Sequence, residues 1–325
     1  MPQASEQSAG VAFPLRHVAS ISPTPPEALW LVDQLWAASG VGVIGGLPKT
    51  FKTWLAAEIA LAVACGTKAL GRFAAKAQGP VLFFAAEDNP PAMRARFDAL
   101  ARARGIQLQD APVFLIDLVE LRLDHPAHLA RLGRTVASTG ARLLILDPFV
   151  RVARVDENSA QEVSAVLGAL RTIQRDHDVA VLLVHHMRKS PSPHPGQQLR
   201  GSGDFAAWVD SGLYLLRRGS DLVLTAEHRG APAPPPFSLR LALEPAPHLV
   251  VAQEIASPGA TPTDPLAAAV VELLRRSKRS LPTVTLRDAL KVRKAKLLDT
   301  LRALRDDGLL ARHDDGWCLT VNQTP

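Results

Sequence analysis

The chain has few of the residues that build disulfide frameworks, metal clusters or membrane spans. Only two cysteines, Cys65 and Cys318, occur in 325 residues, and they lie far apart in the sequence. Two distant thiols indicate neither a disulfide framework nor a metal site. No apolar run reaches the ~20 residues that a membrane-spanning helix needs. The N-terminal MPQASEQSAG lacks a basic stretch followed by an apolar one, so we expect no secretory signal and a reducing, cytoplasmic setting.

What the chain has in quantity is apolar residues and basic charge. Hydrophobic residues make up 47% of the sequence, and the length suffices for one large α/β domain and a small second one. The net charge is +6 and the pI is about 9.7. This balance mildly favours polyanionic partners such as nucleic acid, although a high arginine and alanine content can also reflect genome composition.

Continuous apolar runs alternate with amphipathic segments between Leu29 and His186. This alternation predicts an α/β fold with a mostly parallel sheet covered by helices on both faces. Right-handed crossovers place the carboxyl ends of parallel strands at one edge, where ligands bind. The strand-like runs span 41–45, 81–87, 113–117, 143–147 and 179–186, and the helix-like segments span 54–65, 91–104, 126–138 and 159–176.

The pattern changes after His186, where the proline-rich segment 187–198 predicts a loop. Four further runs follow without long helices between them and predict antiparallel strands that extend the sheet, at 211–218, 222–229, 237–243 and 248–253. Composition divides the whole chain into a flexible arm over 1–27, an α/β domain over 28–255, a linker over 256–263 and a further domain over 264–325.

The last sixty or so residues predict a winged helix, because three helical segments precede two short strands around a polar turn. The segment 264–325 carries an excess of basic over acidic residues. A basic winged helix commonly binds DNA through its third helix, and Arg293, Lys294 and Lys296 lie where that helix begins. A protein–protein interaction module is the alternative.

The segment GGLPKTFKT lies between an apolar strand and an apolar helix and predicts a phosphate-binding P-loop. Backbone N–H groups and the helix N-terminus cradle phosphates in such a loop. Lys52 would reach the β- and γ-phosphates of ATP, and the Thr53 hydroxyl would bind Mg²⁺. The candidate nucleotide-binding residues are Gly45, Gly46, Leu47, Pro48, Lys49, Thr50, Phe51, Lys52, Thr53 and Trp54.

One residue departs from the P-loop pattern G-x-x-x-x-G-K-[ST], which otherwise fits 46–53. Phe51 stands where the second glycine belongs, and that glycine usually supplies an unusual φ near the phosphate. Phe51 must therefore hold a similar backbone, or the loop differs locally. The simpler alternative is a Lys-Thr turn that opens an ordinary helix.

Acidic residues end two of the predicted strands. Asp147 follows LLIL, where P-loop enzymes place the aspartate that holds Mg²⁺; a turn residue before Pro148 is the alternative. Glu87 ends VLFFAAE, where a carboxylate would polarise the attacking water. The alternative there is helix capping, for which Asp88 or Asn89 would serve.

Two further strand ends carry candidate catalytic residues. His185 or His186 would sense the γ-phosphate and pass its presence to the following loop, whereas a structural role or a metal-binding pair are alternatives. Arg229 precedes a Gly-Ala-Pro turn and would act as an arginine finger in a neighbouring subunit; an ordinary surface arginine is the alternative.

These segments together resemble the RecA/DnaB-like P-loop ATPases, most closely the plasmid RepA-type hexameric helicases. The resemblance runs in the family's order from about Leu29 to Arg229. The winged helix is an addition to the ATPase core of this family. The matching segments are GGLPKTFKTWLAAEIALAVA, VLFFAAED, LLILDPFVRVARVDENSAQEV, VAVLLVHHMRK, LRGSGDFAAWVDSGLYLL and TAEHRG.

The resemblance implies ATP and Mg²⁺ as cofactors and a homo-oligomer, with the hexamer as the family's form. It implies the same roles for Lys52, Thr53, Asp147 and Glu87, with His186 or His185 as sensor and Arg229 as the finger in trans. It also implies that two loops grip single-stranded DNA in a central channel. The DNA-binding candidates in those loops are Arg151, Arg188, Lys189 and Arg200.

The sequence supports two hypotheses of different kinds. The main one is an oligomeric, DNA-dependent ATPase that couples hydrolysis at subunit junctions to movement on DNA or its remodelling. The alternative is a nucleotide-switched DNA-binding regulator or accessory factor without motor activity. A small-molecule kinase is a third hypothesis, but neither an acceptor-site signature nor a lid is evident in the sequence.

Overall fold

The computed structural model describes residues 15–153, 155, 159–188, 195–199, 203–218, 221–254, 265–277, 280–306, 309–313 and 316–319. Several predictions concern residues outside these ranges. They are the first part of the predicted arm, the linker over 256–263, and two of the DNA-binding candidates, Lys189 and Arg200.

Helices and strands alternate along the described chain. The first half contains β1 (Trp30–Val32), β2 (Trp36–Ala37), β3 (Val41–Gly46), α1 (Lys52–Cys65), β4 (Lys68–Ala69), β5 (Phe73–Ala74), β6 (Val81–Ala85), α2 (Pro90–Arg104), β7 (Val113–Leu115), α3 (Pro126–Thr139), β8 (Leu143–Asp147), α4 (Phe149–Val152), α5 (Ala160–His177) and β9 (Ala180–His186). The second half contains α6 (Asp204–Trp208), β10 (Ser211–Arg218), β11 (Asp221–His228), β12 (Phe237–Ala242), β13 (His248–Glu254), α7 (Pro265–Ser277), α8 (Thr283–Leu290), α9 (Lys294–Asp306), β14 (Leu310–His313) and β15 (Gly316–Leu319). Within these ranges no helix combines the length and the apolar character that crossing a bilayer requires.

A nine-stranded sheet organises the chain, in the order β13-β12-β11-β10-β3-β9-β8-β6-β7. The six strands from β10 to β7 pair in parallel, and β10 to β13 pair antiparallel. Because parallel strands point the same way, the carboxyl ends of β3, β6, β8 and β9 meet at one edge. The prediction of an α/β fold with a mostly parallel sheet is confirmed.

One strand direction differs from the prediction. We expected all four late strands to be antiparallel, but β10 pairs in parallel with β3, from Ser211 opposite Gly42 to Leu215 opposite Gly46. The chain returns to the amino ends of the strands before β10 begins, since the N–H of Asp210 donates to the Val41 carbonyl oxygen. The carboxyl end of β10 therefore lies at the same edge as that of β3.

Alternate residues of the strands pack on opposite faces of the sheet. Phe83, Ile145 and Leu182 pack with α1 and α2, whereas Phe84 and Leu146 pack with α3, α4, α5 and α6. Both faces are thus covered by helices, which explains why the central strands read as continuous apolar runs.

Helix α1 is buried on all sides, which fits its alanine-rich, apolar sequence. Its one buried acid, Glu58, pairs with Arg104 of α2 at 2.5 Å and accepts a hydrogen bond from the Leu70 N–H at 2.8 Å. The side chains of Glu58 and Arg104 are 3% and 13% exposed. The pair therefore fixes the helix that follows the predicted P-loop against its neighbour.

The C-terminal elements have a core of their own, formed by apolar residues of α7, α8, α9 and the β14–β15 hairpin. Trp317 of β15 belongs to this core and pairs with Leu281, which lies between α7 and α8. The order of three helices and a hairpin is the observation on which the winged-helix prediction depends.

We predict that Arg104→Ala lowers the free energy of unfolding by about 3 kcal/mol, because it leaves the buried Glu58 carboxylate without its partner. The matched control is Arg94→Ala on the same helix. Arg94 pairs with Asp98 at 3.2 Å, but both side chains are largely exposed, so we expect a change below about 1 kcal/mol. Chemical denaturation measures both; equal losses would show that the buried pair does not hold α1.

Candidate nucleotide-binding site

A cavity of about 610 Å³ opens at the carboxyl edge of the parallel strands. It lies between the loop that joins β3 to α1 and the ends of β6, β8, β9 and β10. Its lining residues are Pro48, Lys49, Thr50, Phe51, Lys52, Thr53, Trp54, Ala85, Glu87, Asp88, Arg96, Asp147, Pro148, Val184, His186 and Arg217.

The predicted P-loop divides into a part that lines the cavity and a part behind it. Residues from Pro48 to Trp54 line the cavity, whereas Gly45 and Gly46 belong to β3. A Cβ on Gly46 would lie 2.5 Å from the Thr50 hydroxyl oxygen. Glycine is therefore required at the end of β3 to let the loop fold back on the strand.

Phe51 adopts the backbone that glycine usually supplies in a P-loop. Its φ and ψ are 61° and 26°, in the left-handed region, and Lys49 also has a positive φ of 63°. A non-glycine residue in this region costs roughly 1 kcal/mol. The Phe51 side chain packs against the core around α1, which offsets that cost. The loop keeps its conformation despite the missing glycine.

The Leu47 carbonyl oxygen holds the loop together. It accepts hydrogen bonds from the Thr50 hydroxyl at 2.8 Å and from Lys52 Nζ at 2.9 Å. Burial lowers the pKa of Lys52, while the nearby carboxylates of Asp147 and Glu87 oppose that shift. The Lys52 ammonium therefore contacts the backbone of its own loop, at the wall of the cavity.

Asp147 and Thr53 form a pair suited to a hard cation. Asp147 is 7% exposed, its side chain lies close to that of Thr53, and its Oδ2 has no hydrogen-bond partner within the described part of the chain. Burial raises the pKa of Asp147 to about 6, although the Thr53 hydroxyl and the charge of Lys52 act against the rise. A buried oxygen without a partner, next to a hydroxyl, fits Mg²⁺, which binds few protein ligands and keeps waters and phosphates.

Two carboxylates after β6 line the cavity, and each already has an arginine partner. Glu87 Oε1 lies 3.0 Å from Arg151 Nε, and both side chains are at least half exposed. Asp88 Oδ2 lies 2.7 Å from Arg96 Nη1. The capping role falls to Asn89, whose side-chain oxygen accepts from the Ala92 N–H at the start of α2. Capping therefore accounts for neither Glu87 nor Asp88.

The adjacent histidines at the end of β9 point to opposite faces. His186 lines the cavity. His185 is fully buried on the other face, where its ring stacks on Phe205 at 4.4 Å and meets Phe149 edge-on at 5.7 Å. Of the two sensor candidates, the structure brings only His186 to the cavity.

Arg229 lies at the opposite edge of the sheet from the cavity. Its guanidinium pairs with Asp210 at 3.3 Å and donates to the Ala207 carbonyl oxygen. Asp210 in turn accepts from the Val41 N–H, at the amino end of β3. Arg229 therefore does not reach the cavity of its own subunit, and its proposed role requires a neighbouring one.

Sequence reasoning missed two arginines that line the cavity, Arg96 and Arg217. Arg96 lies two turns into α2, where its charge stands over the Trp54 ring at 5.4 Å. Arg217 lies two residues beyond Leu215, which is level with Gly46. The parallel pairing of β10 with β3 is what places Arg217 at the cavity. The sequence alone does not give the direction of β10, so Arg217 could not be predicted.

Comparison with protein families identifies this region. A family model described as AAA domain matches residues 11–192, more than half of the chain. The chain belongs to this AAA-domain family. The match contains the loop from β3 to α1 and the ends of β6, β8 and β9, so the P-loop region, Glu87, Asp147 and His186 all lie within it.

Solved structures with a similar fold include the RadB recombinase, at 19% identity and a TM-score of 0.47 over 63% of this chain and 88% of that one. Another is a KaiC-like protein from the hyperthermophilic archaeon Pyrococcus horikoshii OT3, at 17% identity and a TM-score of 0.46, covering 68% and 93% of the two chains. Neither similarity assigns a function to this chain.

We predict that Mg²⁺-dependent nucleotide binding weakens below a pH of about 6. The raised pKa means that Asp147 keeps its proton up to that pH, and a metal ion needs the carboxylate. The affinity should fall by up to tenfold for each pH unit below 6 when Mg²⁺ is present. Calorimetric titration measures it, with EDTA replacing Mg²⁺ as the control.

The pH dependence should be much smaller in EDTA and in Asp147→Asn, where only the γ-phosphate of ATP still titrates near this pH. A decline of the same size without Mg²⁺ would assign the effect to another group and contradict the metal role of Asp147.

Proposed function

We propose that the protein is an ATP-hydrolysing, DNA-binding homo-oligomer. The observation that carries the proposal is the cavity itself, where a P-loop with a retained left-handed turn, a buried aspartate and an exposed glutamate face one another. These are the parts that phosphoryl transfer to water requires: a phosphate cradle, a metal ligand and a group that orients the water.

Each residue has a separate task in this proposal. Lys52 leaves the Leu47 carbonyl oxygen and binds the β- and γ-phosphates. Thr53 and Asp147 would hold Mg²⁺, which would neutralise charge on the phosphate oxygens when bound. Glu87 accepts the proton of the attacking water, and His186 contacts the terminal phosphate from the end of β9.

The loop after β9 is positioned to respond to His186. Met187 pairs with Leu199, and the Arg188 N–H donates to the Gln198 carbonyl oxygen at 2.6 Å. The two ends of the loop are therefore fastened together next to the cavity. This supports the proposal that a change at His186 reaches the basic loop, of which Arg188 is an exposed member.

DNA dependence is supported by the ion pair between Glu87 and Arg151. Arg151 belongs to α4, directly after the strand that carries Asp147, in one of the segments predicted to contact DNA. A phosphate of single-stranded DNA that bound Arg151 would take it from Glu87. Glu87 would then be free to accept a proton, so binding and hydrolysis would be coupled through one arginine.

A second surface for DNA is proposed in the C-terminal domain, over 264–325, as a winged helix. Arg293, Lys294 and Lys296 are exposed at the start of α9. No carboxylate of the described chain lies within ion-pair distance of them. The helix N-terminus adds a positive partial charge, which supports binding of nucleic acid phosphates. The division into a 28–255 ATPase domain and this domain is part of the proposal.

Assembly is the third part of the proposal. ATP would lie at subunit junctions, with Arg229 reaching the cavity of a neighbour as an arginine finger, and a hexamer is the expected form. Arg229 would have to leave Asp210 and the Ala207 carbonyl oxygen to do so. Movement along DNA, as in the RepA-type helicases that the motifs resemble, is the output that we propose.

One observation favours a second candidate function. Lys52 is held by the Leu47 carbonyl oxygen, and Phe51 keeps a strained backbone beside it. A loop that opens slowly would bind ATP and hydrolyse it slowly. The protein would then be a nucleotide-switched DNA-binding regulator without motor activity.

Hydrolysis of ATP with and without single-stranded DNA tests the proposal, on protein whose mass in solution is recorded. We expect an oligomer whose turnover rises at least tenfold with DNA. Lys52→Ala should abolish hydrolysis and lower the melting temperature by only a few degrees, because it removes the phosphate contact and one hydrogen bond to the Leu47 carbonyl oxygen but no apolar core contact. Unchanged turnover in that variant would refute the site assignment. A monomer with slow, DNA-independent turnover would favour the regulator.

Arg151→Ala separates the coupling from the catalysis. Loss of an exposed ion pair is worth about 0.2 to 1 kcal/mol, so basal turnover should rise by up to fivefold as Glu87 is released. Stimulation by DNA should shrink to less than twofold. Arg94→Ala, an exposed arginine of α2 paired with Asp98, is the control. Full stimulation in Arg151→Ala would show that this arginine does not couple DNA to Glu87.

A further inference from the structure

Arg217 occupies a special place among the charged residues of the cavity. It lies on β10, on the same face as Leu213 and Leu215, which pack with α1. Because Leu215 is level with Gly46, Arg217 extends beyond the sheet edge and over the loop. Its Nη2 lies 3.5 Å from the Lys49 carbonyl oxygen.

The acidic and basic residues of the cavity are not evenly paired. Arg96 pairs with Asp88 at 2.7 Å, and Lys52 lies near the carboxylates of Asp147 and Glu87, which raise its pKa against the effect of burial. Arg217 has no carboxylate within ion-pair distance among the residues that the structure describes. An exposed guanidinium without a counter-charge therefore stands on the P-loop side of the cavity, opposite the carboxylates.

The contact with Lys49 does not explain why an arginine is needed there. A donor–acceptor distance of 3.5 Å lies beyond the usual range for N–H···O hydrogen bonds, and a neutral donor would serve a carbonyl oxygen equally well. The guanidinium has several donors in one plane, which suits two phosphate oxygens at once. Its position and its chemistry both fit a phosphate chain that enters beside Lys49.

We infer that Arg217 binds the phosphate chain of the nucleotide within its own subunit. This inference rests on the proposed nucleotide binding at the same cavity. Arg217 would thus contribute a guanidinium to the cavity of its own subunit, whereas Arg229 lies at the opposite edge of the sheet. Tight ATP binding consequently does not require a neighbouring subunit, and oligomerisation serves hydrolysis.

Calorimetric titration of ATP with Mg²⁺ into the full chain tests the inference, at protein concentrations where light scattering gives the monomer mass. Arg217→Ala should weaken the Kd about tenfold, as expected for the loss of a charge-assisted hydrogen bond. Arg217→Gln should be equally weak, because it keeps a donor and loses the charge. Arg217→Lys keeps the charge and should weaken the Kd by less than about threefold, which is half of the tenfold change on a logarithmic scale.

Arg240→Ala is the matched control, since Arg240 is an exposed arginine on β12 of the same sheet and does not line the cavity. It should bind ATP as the unaltered chain does. The melting temperature of each ligand-free variant reports folding. If Arg217→Ala or Arg217→Gln melts more than about 3 °C lower than the unaltered chain, Arg217→Lys replaces it in the comparison. The inference then requires that Arg217→Lys binds ATP more weakly than the unaltered chain.

Three outcomes would overturn parts of this account in distinguishable ways. Unchanged affinity in Arg217→Ala would refute the role of Arg217 and leave the proposed function standing. Full affinity in Arg217→Gln would show that the residue only tethers the Lys49 carbonyl oxygen. Failure of the unaltered chain to bind ATP at all would refute the proposed function, and the Arg217 inference with it.

Discussion

The parallel pairing of β3 with β9, and of β9 with β8, is the constraint on which the rest of the structure depends. Because these strands run in one direction, their last residues Gly46, His186 and Asp147 all lie at the same edge of the sheet, although up to 140 residues separate them in sequence. The helix α1 then starts at this edge and points its N-terminus into the cavity. Burial of α1 on every side fixes its direction, so the loop before it has little conformational freedom.

The charges at this edge are arranged so that most are balanced before any ligand arrives. Asp88 forms an ion pair with Arg96, Glu87 forms one with Arg151, and Lys52 donates a hydrogen bond to the Leu47 carbonyl oxygen. Such pairing lowers the cost of collecting several like charges in one cavity. It also means that nucleotide and nucleic acid would each have to replace a contact that exists without them. Asp147, whose buried Oδ2 has no hydrogen-bond partner among the described residues, is the group that gains most from a metal.

The apolar alternation from Leu29 to His186 predicts the sheet, its helices and the ligand edge, because burial on both faces of a parallel sheet requires such runs. The P-loop pattern left two possibilities for Phe51, a glycine-like backbone or a locally different loop, and its φ of 61° shows the first. The direction of β10 could not be predicted, since it depends on how the segment before Asp210 crosses the sheet. For the same reason Arg217 could not be placed. The period of two separates His185 from His186 but does not say which one faces the cavity; packing against Phe205 decides that.

The measurement that tests the central claim most directly is a crystal structure with Mg²⁺ and a non-hydrolysable ATP analogue. We predict that the analogue's phosphates lie over residues 48–53, that Lys52 Nζ has left the Leu47 carbonyl oxygen for them, and that Mg²⁺ lies beside Thr53 and Asp147 with Phe51 still at a positive φ. An analogue bound elsewhere, with Lys52 still on Leu47 and no metal at Asp147, would contradict it and leave the P-loop as an ordinary turn before a helix.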